Sequence, residues 1–504
     1  MMFIGQRGKE LSPNDVSKVQ ALVSGARNKP KLSAIGDSLT AMTYQQMVQT
    51  AAVRASNILT VTKSSHGLFA GAKVRQDGID TFDATMRGTF TVLTAPDANN
   101  FTVSNPGPDG TLVLGTTPRF QNLQRMSNDG VLNWALILGN QSFDLLEVFA
   151  TSGRRTVDML QFVAPVIAAG AGYCWVLGGT NDIVLDGATA ASVLVNLRAI
   201  HAALIAGGVR PIVVTIPPPI GTAYTTARAQ AIARVNAGLR SDCKANGMTI
   251  LADLAVALTD SVSATPGVAK TNYVVANDVH PTQRGAYYGG KRCASDIGAA
   301  VFRIDDRVAN ASDTQGFDAS SANIFDAGPW LSAGTISAPV TGTQIGTGLV
   351  AERIGTCAGA ATCPARADGI GYDATIVATP AAASDGCNIR TAGSTWAPRV
   401  VAGVAYVGSA SVTYIGLSGS TIQYGYHYIS GTVDGTSVAY ISAALYPNDA
   451  TPLDEDWAGV VRFPPFTISG AISAGTLYNT VNFTAAGSAV TMKVGRMSLR
   501  GPIA

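Results

Sequence analysis

Groups with the chemistry of acyl transfer lie in four short polar segments of the chain. Ser38 stands in Gly-Asp-Ser-Leu, Gly153 in Thr-Ser-Gly-Arg-Arg, Asn181 in Gly-Gly-Thr-Asn-Asp, and His280 in Asn-Asp-Val-His-Pro-Thr. A serine on a sharp turn can act as a nucleophile, and a histidine can take its proton. The backbone N–H of a serine or a glycine and the amide of an asparagine can donate to an oxyanion. The four segments therefore contain a candidate nucleophile, a candidate base and three candidate oxyanion donors.

Each of the first three segments follows an apolar run that is typical of a buried strand, and the fourth precedes a helix. The strands are predicted over Lys31–Ile35, Leu145–Phe149 and Tyr173–Leu177, and the helix begins after Thr282. The carboxyl ends of parallel strands, with the loops that follow them, meet at one edge of an α/β sheet. Strands alternate with helices, so we expect a parallel sheet with right-handed crossovers. The other predicted strands are Pro211–Ile216 and Thr249–Leu254, and the other predicted helices cover 14–27, 156–169, 189–206 and 223–246.

Two parts of the chain depart from this alternation. Residues 57–121 alternate β-branched and polar side chains between Gly, Asn, Asp and Pro turns, which predicts a small all-β insertion. From about residue 305, short runs rich in Thr, Ser, Val, Ile and Tyr lie between glycine-rich turns, a pattern typical of a β-sandwich or jelly roll. We therefore predict an α/β domain over 1–56 and 122–304, the insertion over 57–121, and a β-sandwich over 305–504.

Taken in order, the four segments resemble those of the SGNH (GDSL-type) hydrolase family, over roughly residues 30–300. The resemblance implies a flavodoxin-like α/β domain of three layers that hydrolyses carboxylic esters through an acyl-serine intermediate, without a cofactor. It implies that Ser38 is the nucleophile and that His280 is the general base. It also implies an oxyanion hole formed by the N–H groups of Ser38 and Gly153 and by the side chain of Asn181.

The acidic partner of the histidine departs from the family pattern, which has an aspartate three residues before it. Asn277 occupies that position here, and Asp278 follows it. Asp278 could reach the imidazole through a shifted loop, or Asn277 could orient the ring by accepting a hydrogen bond. A backbone carbonyl could serve instead and leave a Ser–His dyad. A neutral partner would stabilise the imidazolium less than a carboxylate does, so the last two readings predict a slower enzyme.

Composition and charge exclude several other classes of protein. The net charge of +2 comes from 35 basic and 33 acidic residues without a basic cluster, which argues against a nucleic-acid partner. Proline and glycines interrupt the most apolar run, Phe162–Gly178, so no membrane span is expected. The N-terminus lacks the apolar core of a signal peptide, so we expect a soluble protein without an obvious N-terminal export route.

The six cysteines do not point to a metal site. None has zinc-ligand spacing with a nearby histidine, so no metal is predicted. Cys357 and Cys363 could close a small loop and leave Cys387 unpaired.

Several polar residues beside the four segments have a structural and a functional interpretation. Asp37 and Asp182 are better explained as caps or braces of their loops than as proton-transfer groups. Arg154 and Arg155 could bind an anionic sugar or simply solvate a loop.

The β-rich parts of the chain suggest the substrate. The insertion resembles short β modules of phage tail proteins, because it begins with His66-Gly67-Leu68 and contains two Phe-Thr-Val strands. The segment Met492–Leu499 resembles the closing strand of jelly-roll domains related to carbohydrate-binding modules. Trp330, Trp396 and Trp457 could stack on sugars there or pack in the interior of the sandwich.

These resemblances imply an esterase that removes O-acetyl groups from a bacterial surface polysaccharide, either capsule or O-antigen. They imply a virion tail location, a homotrimeric assembly and other tail proteins as partners. A lipolytic or small-ester esterase is one alternative. A non-enzymatic tail or adhesion protein that keeps the fold is another, and the shifted acid before His280 is the feature that favours it.

Overall fold

A computed structural model describes most of the chain. The described residues are 30–76, 84–114, 119–301, 335–336, 340–342, 349–367, 372–391, 400–433, 436–445, 453, 455–467, 472 and 475–500. The predicted helix over 14–27 lies outside these residues, as do Trp330 and Trp396.

Strands form most of the regular structure. In chain order they are β1 Lys31–Gly36, β2 Tyr44–Val48, β3 Ala51–Ala55, β4 Ile58–Thr62, β5 Lys73–Gln76, β6 Gly88–Thr94, β7 Asn100–Ser104, β8 Gly110–Thr111, β9 Arg119–Met126, β10 Asp144–Ala150, β11 Tyr173–Leu177, β12 Arg210–Val214, β13 Ile250–Ala252, β14 Thr335–Ile336, β15 Thr341–Gly342, β16 Leu349–Ile354, β17 Ala358–Thr362, β18 Ala374–Thr379, β19 Gly386–Thr391, β20 Ala405–Ile415, β21 Ile422–Val433, β22 Thr436–Leu445, β23 Trp457–Arg462, β24 Phe466–Thr467, β25 Thr476–Phe483 and β26 Val490–Arg500.

The helices that the structure describes lie between Ser38 and Gly298. They are α1 Ser38–Ala41, α2 Val131–Leu138, α3 Thr156–Met159, α4 Val163–Ala168, α5 Thr180–Val184, α6 Ala190–Ala206, α7 Thr226–Ala245, α8 Leu254–Leu258 and α9 Gln283–Gly298, with 3-10 turns at Ala84–Met86, Leu160–Phe162 and Gly221–Ala223. The helix predicted over 156–169 is divided, because Pro165 has no N–H to donate to the carbonyl of Gln161. No helix in the described ranges is long and apolar enough to cross a membrane.

Five parallel strands form the sheet that was predicted from the α/β alternation, in the order β10-β1-β11-β12-β13. In chain order this arrangement is 2-1-3-4-5, the flavodoxin-like order, so the predicted fold of this part is confirmed. Gly36, the last residue of β1, pairs with Ala150 of β10 and with Leu177 of β11. Three strands therefore end at the same level, and the loops that carry Ser38, Gly153 and Asn181 leave the sheet side by side.

Helices cover both faces of this sheet, which gives the expected three layers. On one face, Ile35 and Val176 pack in a cluster with apolar side chains of α4, α6 and α7. On the other face, Leu32 and Trp175 pack with side chains of α2, α8 and α9. The alternation of these side chains along β1 and β11 assigns each to its face, as the period of a strand requires.

The β structure after the nucleophile is larger than the predicted insertion. β2 and β3 precede residue 57, and β3 pairs with β4 along its whole length. β9 continues past residue 121 and pairs with both β2 and β5. The β-structured segment thus extends from Tyr44 to Met126, which corrects the predicted bounds of 57 and 121. The alanine-rich β3 has weak strand propensity, so its pairing partners decide its conformation.

The described residues of the C-terminal region form two sheets, which is consistent with the predicted β-sandwich. One sheet contains β15, β17, β18, β26, β20 and β23, with β24 added to β20. The other contains β14, β16, β19, β25, β21 and β22, and it continues into β9 through the pair of Ile441 with Arg125. The insertion is therefore joined to the C-terminal sheet rather than being a separate module. The jelly-roll connectivity stays a prediction.

The α/β domain and the C-terminal region share an apolar interface. The rings of Trp134 in α2 and Trp457 in β23 meet edge to face, with centroids 5.4 Å apart, and both side chains are buried. Gly459 brings β23 so close to α2 that an added Cβ would lie 2.7 Å from the carbonyl oxygen of Ile137. Nη1 of Arg462 lies 3.1 Å from Oδ1 of Asp144 in β10. Trp457 is thus an interface residue, which corrects its interpretation as a possible sugar platform.

Candidate active site

Ser38 is the first residue of α1, immediately after β1. Asp37 caps this helical turn, because its Oδ1 accepts from the N–H of Leu39 at 3.0 Å. Gly36 permits the sharp turn, since a Cβ there would lie 2.9 Å from the carbonyl oxygen of Leu177 and would overlap Thr40. The hydroxyl of Ser38 is consequently held at the carboxyl edge of the sheet, where it is half-buried.

His280 comes to the serine from a loop 242 residues later in the chain. Its Nε2 lies 2.7 Å from Oγ of Ser38, a distance at which the hydroxyl donates to the ring. Backbone contacts hold the histidine loop before and after His280. The N–H of Val275 donates to the carbonyl of His280. Thr282 caps α9 by accepting from the N–H of Gly285. The structure therefore brings the predicted nucleophile and the predicted base within hydrogen-bond distance of each other.

Asp278 contacts the other ring nitrogen of the histidine. Its Oδ1 lies 2.8 Å from Nδ1 of His280 and also accepts from the N–H of Val279 at 2.6 Å. Burial would raise the pKa of this carboxyl, but the hydrogen bond and charge of His280 outweigh it and lower that pKa below its usual value. The side chain is 40% exposed and stays ionised at neutral pH. Among the three candidate partners of the imidazole, the geometry favours Asp278.

Asn277 points to a different group. Its Oδ1 accepts from the N–H of Thr222 at 3.0 Å, and its backbone adopts a left-handed φ of 63°. Gly221 leaves room for this amide, because its own Cβ, if present, would overlap Oδ1 of Asn277. The N–H of Ile220 donates to the carbonyl of Asp278. Asn277 therefore joins the histidine loop to the loop after β12, and the reading in which it orients the imidazole is not what the structure shows.

The backbone donors proposed for the oxyanion are available. In the described part of the chain, the N–H groups of Ser38 and Gly153 donate to no other residue. Gly153 has a φ of 82°, which favours glycine and lets the loop after β10 turn there. Both N–H groups lie on neighbouring loops at the edge that carries the serine hydroxyl, so both can serve a developing oxyanion.

Asn181 is buried near the start of α5, and its amide Nδ2 donates to the carbonyl of Arg154 at 3.1 Å. An amide carries two N–H bonds, so this contact leaves a second donor. The contact also joins the Asn181 loop to the Gly153 loop. The structure thus joins two of the three predicted oxyanion donors, Gly153 and Asn181, through this hydrogen bond, and Ser38 lies at the same edge of the sheet.

Arg154 supports this arrangement in a way that sequence reasoning missed. Its side chain is fully buried, Nη1 donates to the carbonyl of Phe149 at 2.8 Å, and the guanidinium lies 4.1 Å from the ring centroid of Phe162. Arg155 instead pairs with Asp186. Arg154 is therefore enclosed beneath the loop and cannot bind a sugar directly. The two arginines are adjacent in a polar loop, and nothing in the local sequence indicated that one of them would be buried.

The two aspartates that sequence analysis assigned to loop bracing are both buried. Asp182 accepts from the N–H and the hydroxyl of Thr156, which ties α5 to α3. Burial raises the pKa of Asp37 to about 7, although its bond with Leu39 and the charge of His280 act in the opposite direction. Neither aspartate contacts the imidazole ring, so their positions agree with the structural reading.

A parallel α/β sheet with a Ser–His–Asp chain at its carboxyl edge defines a hydrolase of the serine type. Residues 115–287 match the sequence model described as the GDSL-like Lipase/Acylhydrolase family. This stretch holds Gly153, Asn181, Asp278 and His280, and the chain therefore contains a domain of the GDSL-type esterase and acylhydrolase family. Ser38 lies before the matched residues, and β2 to β8 stand between them.

Several solved structures are similar to part of the chain. A GDSL-like lipase from Bacteroides thetaiotaomicron is similar at 18% identity with a TM-score of 0.26, over 31% of this chain and 74% of that one. A carbohydrate esterase of family 3 from Talaromyces cellulolyticus is similar at 19% identity with a TM-score of 0.24, over 31% of this chain and 75% of that one. No curated protein matches the chain.

Proposed function

We propose that the protein is a serine carboxylic-ester hydrolase that removes O-acetyl groups from a bacterial surface polysaccharide. The observation that carries the hydrolase part is the hydrogen-bonded chain from Ser38 through His280 to Asp278. In acylation, Oγ of Ser38 attacks the acetyl carbonyl while Nε2 of His280 takes the hydroxyl proton. The N–H groups of Ser38 and Gly153 and the amide of Asn181 stabilise the oxyanion.

Collapse of this intermediate expels the sugar alkoxide, which takes its proton from Nε2 of His280 and leaves acetyl-Ser38. Water then attacks the acyl carbon, and His280 removes a proton from that water. When the second intermediate collapses, Oγ of Ser38 leaves and takes that proton back from His280, and the acetic acid that forms ionises to acetate in solution. Asp278 stabilises the imidazolium in both halves of the cycle. It also fixes the tautomer of the neutral imidazole, with the proton on Nδ1.

The β-structured segment is attached directly beside the proposed ester-cleaving site. Arg75 of β5 pairs with Glu147 and lies over the ring of Phe149, both in β10. The amide of Gln121 in β9 donates to the carbonyl of Ala150, the last residue of β10. The loop with Gly153 begins directly after Ala150. A polymer held by the β-structured segment would thus lie beside the ester-cleaving site.

The proposal extends to the assembly and location. A homotrimer in a virion tail, in contact with other tail proteins, would present several sites to one polymer and gain affinity through multivalency. Light scattering of the purified chain should then give about three times the chain mass of 51.7 kDa. A monomeric mass at all concentrations would contradict the trimer without affecting the proposed chemistry.

The decisive experiment measures acetate released from a panel of acetylated bacterial polysaccharides, with Ser38→Ala as the control. The proposal expects release by the wild-type chain from at least one polysaccharide and none by the variant. Turnover of soluble aryl acetates with no release from any polymer would favour a small-ester esterase. Inertness towards both kinds of substrate would favour a non-enzymatic tail or adhesion protein.

A further inference from the structure

Two cysteines of the C-terminal region lie together in its interior. The thiol of Cys387 is 3.6 Å from Sγ of Cys357, and both side chains are fully buried. Cys387 belongs to β19, in the sheet that continues into the insertion. Cys357 immediately precedes β17 in the other sheet. The pair therefore sits where the chain passes from one sheet to the other.

The backbone around the pair is held in place by other contacts. β16 and β19 are antiparallel, with Arg353 opposite Cys387. After β16 ends, the N–H of Thr356 donates to Oδ1 of Asp385 at 2.7 Å. Thr356, the donor, is adjacent to Cys357, and Asp385, the acceptor, lies two residues before Cys387. The approach of the two sulfurs follows from strand register and from this carboxylate, rather than from the thiols alone.

We propose that Cys357 and Cys387 are a site of oxidative modification and form an intrachain disulfide when the protein meets an oxidising medium. A disulfide bond is about 2.05 Å long, so the sulfurs must approach by roughly 1.5 Å, which side-chain rotation and small backbone shifts can supply. This inference concerns the stability of the C-terminal region. It does not depend on the proposed ester chemistry.

The alternative link between Cys357 and Cys363, considered from sequence spacing, is excluded by the strand between them. The extended strand β17 fills the interval with five residues. At about 3.3 Å per residue, the two Cα atoms are separated by roughly 20 Å, whereas a disulfide needs about 7 Å or less. Cys363 therefore provides a matched control: a buried cysteine of the same region that lies outside the pair.

The chemistry balances with a low-molecular-weight disulfide, such as oxidised glutathione, as the oxidant. The hydrogen bond from Cys387 lowers the pKa of Cys357, so Cys357 is the thiol that ionises first. Because both side chains are fully buried, this step takes place during a local opening that exposes Cys357. The Cys357 thiolate then attacks the oxidant, forms a mixed disulfide and releases one glutathione thiolate. The thiol of Cys387 then attacks Sγ of Cys357 and releases the second. Two protein thiols are oxidised, and the two glutathione molecules receive their protons.

The test incubates the native full-length chain in glutathione buffers of graded redox potential until the thiol count is constant. Free thiols are then alkylated in acid-quenched samples, and peptides are mapped by mass spectrometry. The expected result is one cross-linked peptide that joins Cys357 to Cys387 and is lighter by two hydrogens than the reduced pair. It should appear in the wild type and in Cys363→Ser, and be absent from Cys357→Ser and Cys387→Ser.

Thermal unfolding gives a second readout that does not depend on single variants. Because a disulfide constrains the unfolded chain, the oxidised wild type should unfold at a temperature several degrees above that of the reduced form. The variant with both cysteines changed to alanine should show no such difference between buffers. Failure of the link to form at every potential, or a link that uses another cysteine, would overturn the proposal.

Discussion

Oδ1 of Asp278 lies 2.8 Å from Nδ1 of His280, although only one residue separates them in the chain. This short spacing is possible because the preceding residue, Asn277, takes a left-handed conformation. The carboxylate therefore reaches the ring from a position one residue later than in the pattern that the sequence resembles. The shifted acid was the feature that favoured a non-enzymatic protein, and this bond shows that the shift still lets the carboxylate contact the imidazole.

Removal of the Asp278 carboxylate should slow ester hydrolysis. In Asp278→Asn, the imidazole loses the negative charge that stabilises its protonated form, and kcat should fall by about 10²–10⁴-fold with a small change in KM. The wild-type carboxyl is partly exposed, so water can replace some of its effect. Steady-state kinetics on an aryl acetate would measure the change. A variant with wild-type kcat would show that Asp278 has no part in turnover.

Substitution of Asn277 should separate its hydrogen bond from its backbone conformation. Asn277→Asp keeps an acceptor for the N–H of Thr222 and should retain kcat within about threefold. Asn277→Gly keeps the left-handed φ but loses the bond, and Asn277→Ala loses the bond and adds strain of about 1 kcal/mol. We therefore expect kcat to decrease in the order Asp, Gly, Ala.

The matching control for this series is Asp278→Asn, which should lower kcat more than any change of Asn277. For each variant, kcat and the unfolding temperature are both measured, so that changes in rate are compared between equally stable variants. If Asn277→Ala were slower than Asp278→Asn while equally stable, Asn277 rather than Asp278 would be the principal partner of the base.

Loss of the Asn181 amide should weaken the stabilisation of the oxyanion. Asn181→Ala removes a candidate donor and the contact with the carbonyl of Arg154, so kcat should fall by about 10²–10³-fold. Arg155→Ala removes a surface pair between the Gly153 loop and Asp186, which follows α5, and should change kcat by less than about threefold. Comparable losses in the two variants would mean that loop disorder, rather than a lost donor, explains the effect.

The buried carboxyl of Asp37 should make stability depend on pH. Burial raises its pKa to about 7 from an ordinary 3.8, so between these values the unfolded chain is ionised while the folded chain holds the proton. The contribution to stability is therefore complete below pH 3.8 and is lost as the pH rises to 7, by roughly 3–4 kcal/mol.

Asp37→Asn should remove this dependence while keeping an acceptor for the N–H of Leu39. Unfolding by denaturant at several pH values would give the difference in free energy between variant and wild type, which should grow in favour of the variant from pH 4 to pH 8. A difference that is constant with pH would show that Asp37 does not titrate in this range.

The interface between α2 and β23 should couple the stability of the two parts of the chain. Trp457→Ala removes the ring that packs against Trp134 and should destabilise the protein by about 3–5 kcal/mol. Because Trp134 belongs to the α/β domain, loss of esterase activity on heating should shift to lower temperature together with the global unfolding transition. An unchanged thermal inactivation of the esterase would indicate two independent units. Truncation before the C-terminal region would expose Trp134, so point variants are the better test.

Local sequence determined the elements of the α/β domain and the residue types of the site. The strands around Leu145 and Tyr173 and the helices after Thr189 and Thr225 follow from apolar periodicity and from threonine caps. The serine, glycine, asparagine and histidine lie at the ends of such elements, so their common edge could be predicted from the parallel order of the strands. The chemistry of each segment is carried by a few adjacent residues, which is why sequence alone identified it.

Only the tertiary structure decided which groups meet across the chain. The choice between Asp278 and Asn277 depends on one backbone dihedral and on a contact with Thr222, far away in sequence. Burial of Arg154 and Trp457, and the proximity of the Cys357 and Cys387 thiols, likewise depend on elements that approach only after folding. Such contacts follow from the packing of whole sheets and helices, and they cannot be predicted from the residues next to each one in the sequence.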